Sequence, residues 1–182
     1  ETTAAVLSAC ELSPAPGAFY DVGANGGIYS ILCRLLFPAM QVVAFEPTPA
    51  TRAAAARWAA INHVDFTLEP LALGESETTG TLYLSAQSDA SNSLVSAFRR
   101  HRGSLSVDVM RLDTYVARSG IVPTVLKIDV ERYEPAVVRG GRELIQRHQP
   151  RIVVEILPSS DGRSPEDDET WQLLTGWGYQ GR

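Results

Sequence analysis

Short apolar runs alternate with longer, helically periodic stretches from the start of the chain. Residues 2–12 carry a helical pattern, which Ser13-Pro14-Ala15-Pro16-Gly17 breaks before the run Phe19-Tyr20-Asp21-Val22. A helix is expected over residues 27–37, stopping at Pro38, and a strand over 41–46. Residues 49–61 are alanine-rich and read as a helix, with Thr48 at the N-cap and Pro49 tolerated at the first position. A third strand is expected over 64–68. This β-α-β-α-β order predicts parallel strands joined by right-handed crossovers.

The middle of the chain has another rhythm. Residues 80–85 and 105–109 alternate like half-buried strands, and the segment 87–102 between them is polar and serine-rich. We read residues 75–111 as an inserted β-ribbon whose loop lines a substrate site. A helix over 112–119, a strand over 124–129, a helix over 134–146 and a strand over 151–156 then restore the parallel order. Residues 159–168 read as an acidic loop, 171–175 begin a last helix, and Trp177-Gly178-Tyr179 starts a further strand.

The fold class is therefore α/β: a Rossmann-like, doubly wound, mostly parallel sheet with helices on both faces. One domain covers residues 1–182. It comprises an N-terminal helix and linker (1–18), a cofactor-binding half (19–74), the ribbon (75–111) and a substrate and catalytic half (112–182). Such a sheet ordinarily finishes with one more strand, so the domain is expected to be truncated at its C-terminal end or to belong to something longer.

Chemistry concentrates where strands end. After Asp21 the chain breaks into Gly23-Ala24-Asn25-Gly26-Gly27 and resumes as a helix. A strand–turn–helix of this kind lets a nucleoside ligand approach the backbone, with free N–H groups at the helix start facing it. Glu46 ends the second strand, near the spacing of roughly 20 residues at which nucleotide folds place a carboxylate on ribose hydroxyls. The loop lacks the G-x-G-x-x-G register of a dinucleotide site, and Asp21 would repel a pyrophosphate. A ligand with an amino group and hydroxyls but no phosphate, such as S-adenosylmethionine, suits it better.

Asp21, Glu46, Asp129 with Glu131, and Glu155 all fall at the carboxyl ends of expected parallel strands, where open α/β sheets bind ligands. Lys127 precedes Asp129 by two residues, so both project from one strand face. A lysine inside an apolar strand needs a partner. Two readings remain open: a structural ion pair with Asp129 or Glu155, or a lysine that orients a catalytic carboxylate.

Composition narrows the partners. The net charge of −5 argues against a nucleic-acid backbone, which needs a basic face. The cluster Arg99-Arg100-His101-Arg102 reads as a solvated loop. Cys10 and Cys33 lie far apart in sequence with no metal spacing, and Cys33 is expected to be a buried small hydrophobe. No run reaches membrane-span length and no signal peptide is visible, which gives the expectation of a cytoplasmic protein.

Taken together, the motifs resemble the FkbM family of class I methyltransferases. They are Asp21-Val22-Gly23-Ala24-Asn25-Gly26-Gly27-Ile28-Tyr29-Ser30, Phe45-Glu46-Pro47, Ala72-Leu73-Gly74, Ser91-Asn92-Ser93-Leu94, Arg111-Leu112-Asp113, Leu126-Lys127-Ile128-Asp129-Val130-Glu131 and Pro150-Arg151-Ile152-Val153-Val154-Glu155. The resemblance implies S-adenosylmethionine as cofactor and O-methylation of a sugar, glycolipid or polyketide-type natural product. It places Asp21, Gly23 and Asn25 on the methionine side, Glu46 on the ribose, and Ala72 and Leu73 along the adenine. Ala24, Gly27, Tyr29, Ser30 and Pro47 belong to the same cofactor set. Asp129 is the first candidate for the base, then Glu155 and Glu131, with Lys127 orienting; a magnesium ion among these acids stays open. The pattern departs after Glu131: the family continues with glycine and a small residue, this chain with Arg132 and Tyr133. Arg132 would be strained if that position needs a positive φ. The rival classes are an NAD-linked oxidoreductase, disfavoured by the loop, and a methyltransferase-like binding module without catalysis.

Overall fold

The computed structural model describes residues 2–88, 91–157 and 168–181. In chain order the elements are α1 (Thr2–Glu11), β1 (Ala18–Val22), α2 (Ile28–Leu36), β2 (Gln41–Phe45), α3 (Pro49–Ile61), β3 (Thr67–Glu69) and β4 (Ala72–Gly74). They continue as β5 (Thr78–Ser85), β6 (His101–Arg111), α4 (Leu112–Ser119), β7 (Val125–Ile128), α5 (Glu134–Gly140), α6 (Arg142–His148), β8 (Arg151–Val154) and α7 (Glu169–Gly176).

Five strands form a parallel sheet in the order β3-β2-β1-β7-β8. The chain winds outward from β1 through α2 and α3, then returns to β7 on the other side. The order thus reverses between β1 and β7, and a cleft opens there at the carboxyl ends. Every residue of β1 is buried. Its alternating side chains feed two cores. Phe19 joins Val6, Cys10, Cys33, Val42 and Val125, while Tyr20 and Val22 join Phe45, Leu126, Ile128, Val137 and Val138. In the second core Tyr20, Phe45 and Tyr115 meet edge to face, with ring centroids 4.8–5.8 Å apart. Each such side chain contributes about 1.5–3 kcal/mol on burial.

The expected ribbon is part of a second, three-stranded sheet, β4-β6-β5. β5 and β6 pair antiparallel, as the alternation implies, but β4 adds itself parallel to β6. A strand as short as Ala72–Gly74 carries no periodicity to read. The third parallel strand also begins later than expected, at Thr67. After α3, Asn62 and His63 (φ +54) first turn the chain back, and the Val64 amide is spent on Ala59 O. The expected helix over 134–146 is two helices that meet at Gly141, and Gly140 lies so close to β4 that a Cβ there would sit 1.9 Å from Gly74 O.

Trp177 to Tyr179 form no strand; Tyr179 instead donates from its hydroxyl to Pro150 O at 2.9 Å and packs on the core. Thr48 does occupy the N-cap of α3, but its side chain makes no capping bond. Cys10 and Cys33, distant in sequence, meet as buried free thiols with sulfurs 3.5 Å apart. The expected acidic loop lies, except for Asp168, outside the described residues.

Candidate active site

The turn after β1 is built on a backbone only glycine tolerates. Gly23 sits at φ +75, and a Cβ there would lie 1.9 Å from the carbonyl oxygen of Asp129. The Gly23 and Ala24 amides both donate to Phe45 O, at 3.1 and 3.0 Å, which ties the turn to the end of β2. Glu46 follows directly. Its two carboxylate oxygens accept from Asn25 N at 3.0 Å and Thr48 N at 2.8 Å. Burial pushes the Glu46 pKa up, and these two N–H groups pull against that rise. Each carboxylate oxygen retains a further acceptor position. A fixed, buried carboxylate of this kind fits two adjacent hydroxyls.

Beneath the turn lies a closed polar cluster. Asp21 and Lys127 are in register on neighbouring strands, so their side chains share a face. Lys127 Nζ lies 3.2 Å from Asp21 Oδ1, 3.5 Å from Asp129 Oδ2, and donates to Gly23 O at 2.9 Å. The Tyr29 ring flanks the ammonium at 5.2 Å. The other oxygen of Asp21 accepts from Ser30 Oγ at 2.8 Å. Burial alone would lower the Lys127 pKa, but Asp21 and Asp129 outweigh it and the net direction is up. The lysine forms a buried ion pair, shared between Asp129, one of the two expected partners, and Asp21, which was not expected.

Three acids gather on the open side. One carboxylate oxygen each of Asp129, Glu131 and Glu155 lies within 4.8 Å of the others, close enough to share a proton or gather around a cation. Partial burial, then the Asp129 charge, raises Glu131 and raises Glu155 to about 7. Glu155 remains exposed by surface area, so the crowding of like charges is the firmer of its two causes.

A cleft partly open to solvent joins the Gly23 turn and Glu46 to Asp129 and Glu131. Of the residues expected from sequence, Gly23, Asn25, Glu46, Pro47, Ala72, Leu73, Asp129 and Glu131 line it. Asp21, Ala24, Gly27 and Ser30 are buried behind it, so they shape the turn without bordering the cleft. Lys127 and Glu155 border a neighbouring opening on the β8 side, which Asp129 shares. Asn92, Ser93 and Leu94, in the loop expected to line a substrate site, also border the cleft, and so does Tyr133, which was not among the expected site residues. The motif Ser91-Asn92-Ser93-Leu94 was the available signal for the first three. Tyr133, noted in the sequence only as a departure from the family pattern, lies with its ring against Gly74.

A glycine turn at the sheet's switch point faces a buried carboxylate on the next strand, in a fold shared with known methyltransferases. The chain belongs to the FkbM methyltransferase family: the family model described as "Methyltransferase FkbM domain" matches residues 21–180. Two solved structures share the fold. A methyltransferase FkbM from Methylobacillus flagellatus KT aligns at TM-score 0.57 and 19% identity, covering 87% of this chain and 37% of that one. A precorrin-6y C5,15-methyltransferase from Geobacter metallireducens GS-15 aligns at TM-score 0.57 and 15% identity, covering 98% and 71%. The chain thus spans little more than a third of the length of the first. No curated protein matches it significantly. These comparisons lend no support to a magnesium ion. Among the described residues no helix is long and apolar enough to cross a membrane.

Proposed function

We propose that the chain is an S-adenosylmethionine-dependent O-methyltransferase acting on a hydroxyl of a small molecule, of the sugar, glycolipid or polyketide type. The observation that carries this reading is the placing of Glu46 and Asp129 on opposite sides of the Gly23 turn, at the switch point of the sheet. Glu46, oriented by Asn25 N and Thr48 N, would accept from the ribose hydroxyls. Ala72, Leu73 and Phe45 offer an apolar wall for the adenine. S-adenosylmethionine, when bound, supplies a methyl group on a sulfonium. The acceptor hydroxyl must then lie in line with that methyl, and much of the rate enhancement would come from this alignment.

A sugar hydroxyl is a weak nucleophile at neutral pH, so a base in reach accelerates its attack. Asp129 fits that role. It is half-buried, its carboxylate is held by the Lys127 ammonium, and Glu131 and Glu155 stand beside it. The proton would pass from the hydroxyl to Asp129 as the oxygen–carbon bond forms and the carbon–sulfur bond breaks. Asp129→Asn keeps the shape and removes the basicity. Its turnover, read as S-adenosylhomocysteine release, should fall by about 10²–10⁴-fold with cofactor affinity unchanged. Wild-type turnover in that variant would place the base elsewhere. Intact cofactor binding without turnover of any acceptor in the wild type would favour the inactive binding module. Activity lost to a chelator and restored by magnesium would recast Asp129 as a ligand.

A further inference from the structure

Between β5 and β6 the chain doubles back over the cleft as a strap, residues 91–95. Ser93 pairs with Tyr83 through both backbone groups, at 2.8 and 3.1 Å, as an isolated bridge. Asn92 Oδ1 accepts from Ser85 N at 2.9 Å, and Asn92, Ser93 and Leu94 all border the cleft. The Ser93 side chain points the other way, toward the turn between β7 and α5. It is 3% exposed, accepts from Val95 N at 3.0 Å and donates to the carbonyl of Glu131 at 2.6 Å. Ser91 reaches the same residue with a hydrogen bond to the Glu131 carboxylate.

That turn needs holding. Glu131 and Arg132 both have left-handed backbones, at φ +55 and +78, although neither is glycine. Two adjacent strained residues persist only where their surroundings fix them. Oε2 of Glu131 is also buried without a hydrogen-bond partner among the described residues. At the start of the turn the Val130 amide donates to Glu134 Oε1 at 2.9 Å, and from the strap the Ser93 hydroxyl meets the carbonyl of Glu131.

We propose that Ser93 is a positioning residue: its hydroxyl latches the strap to Glu131 O and holds the left-handed turn in the form that turns the Glu131 carboxylate toward Asp129 and Glu155. The latch couples the roof of the cofactor cleft to the acid cluster beside it. The inference rests on the proposed methyl-transfer site for its consequence in catalysis, while the coupling itself is a property of the protein alone.

Ser93→Thr and Ser93→Val have nearly the same shape and differ in the hydroxyl. Hydrogen exchange on the protein without ligand should show the Tyr83 amide and the amides of residues 130–133 exchanging about tenfold faster in Ser93→Val, the loss of one buried hydrogen bond. Ser93→Thr should exchange like the wild type. Methyl transfer should fall in Ser93→Val and recover in Ser93→Thr. Should the valine variant not fold, Ser93→Cys, a weaker donor, gives the same reading at smaller amplitude. Unchanged exchange at residues 130–133 in either hydroxyl-free variant overturns the proposal. Absence of S-adenosylhomocysteine binding in the wild type would instead remove the proposed function and leave the exchange result standing.

Discussion

Lys127 Nζ lies 3.2 Å from Asp21 Oδ1, a pairing made by the in-register packing of β1 against β7. Both groups are out of water, the lysine 2% and the aspartate 0% exposed. Removing one partner from a buried pair leaves an uncompensated charge and costs about 3–5 kcal/mol. Lys127→Met should destabilise the protein by that amount in urea unfolding. The double variant Asp21→Asn with Lys127→Met should cost clearly less than the two single variants added together, since the groups share one interaction. Simple additivity would show that the pair does not act as a unit.

The backbone at Arg132 supports a second expectation. A left-handed residue with a Cβ pays about 1–2 kcal/mol that glycine does not. Arg132→Gly should therefore be more stable than Arg132→Ala by about 1 kcal/mol, with both variants equally lacking the arginine side chain. Thermal unfolding that ranks alanine above glycine would mean that φ +78 at this position is not strained.

Glu155 gives a pH dependence of definite sign. Its pKa rises from 4.5 to about 7 in the folded protein, so the folded state holds a proton that the unfolded chain has released in that window. Its contribution to stability is complete below the unfolded value and is lost as pH climbs through about 7. Glu155→Gln keeps the hydrogen-bonding shape without the charge. Its stability should fall less than that of the wild type between about pH 5 and about pH 8. Parallel curves for the two proteins would contradict the crowding of Glu155 by Asp129.

Much of this site was legible from spacing alone. The Gly23 turn, Glu46 at the end of β2 and Asp129 beyond β7 follow from period, glycine position and the rule that ligands bind beyond carboxyl ends. α3 runs from Pro49 to Ile61 as expected, because Pro49 marks its start without ambiguity. What escaped depends on contacts between distant segments. The Asp21–Lys127 pair needs the register of β1 on β7, and the Cys10–Cys33 contact needs the packing of α1 on α2. β4 draws its strand identity from β6, and Ser93 its importance from Glu131, 38 residues away. None of these leaves a periodic trace in the chain.

Calorimetric titration of S-adenosylmethionine into the protein tests the proposed site most directly, with NAD as the control ligand. Saturable binding of S-adenosylmethionine at one site is expected, with no binding of NAD. Glu46→Ala should weaken S-adenosylmethionine binding by about 1.5–3 kcal/mol, the range for hydrogen bonds to a charged group. Failure of the wild type to bind S-adenosylmethionine, or equal affinity in Glu46→Ala, would contradict the assignment of this cleft.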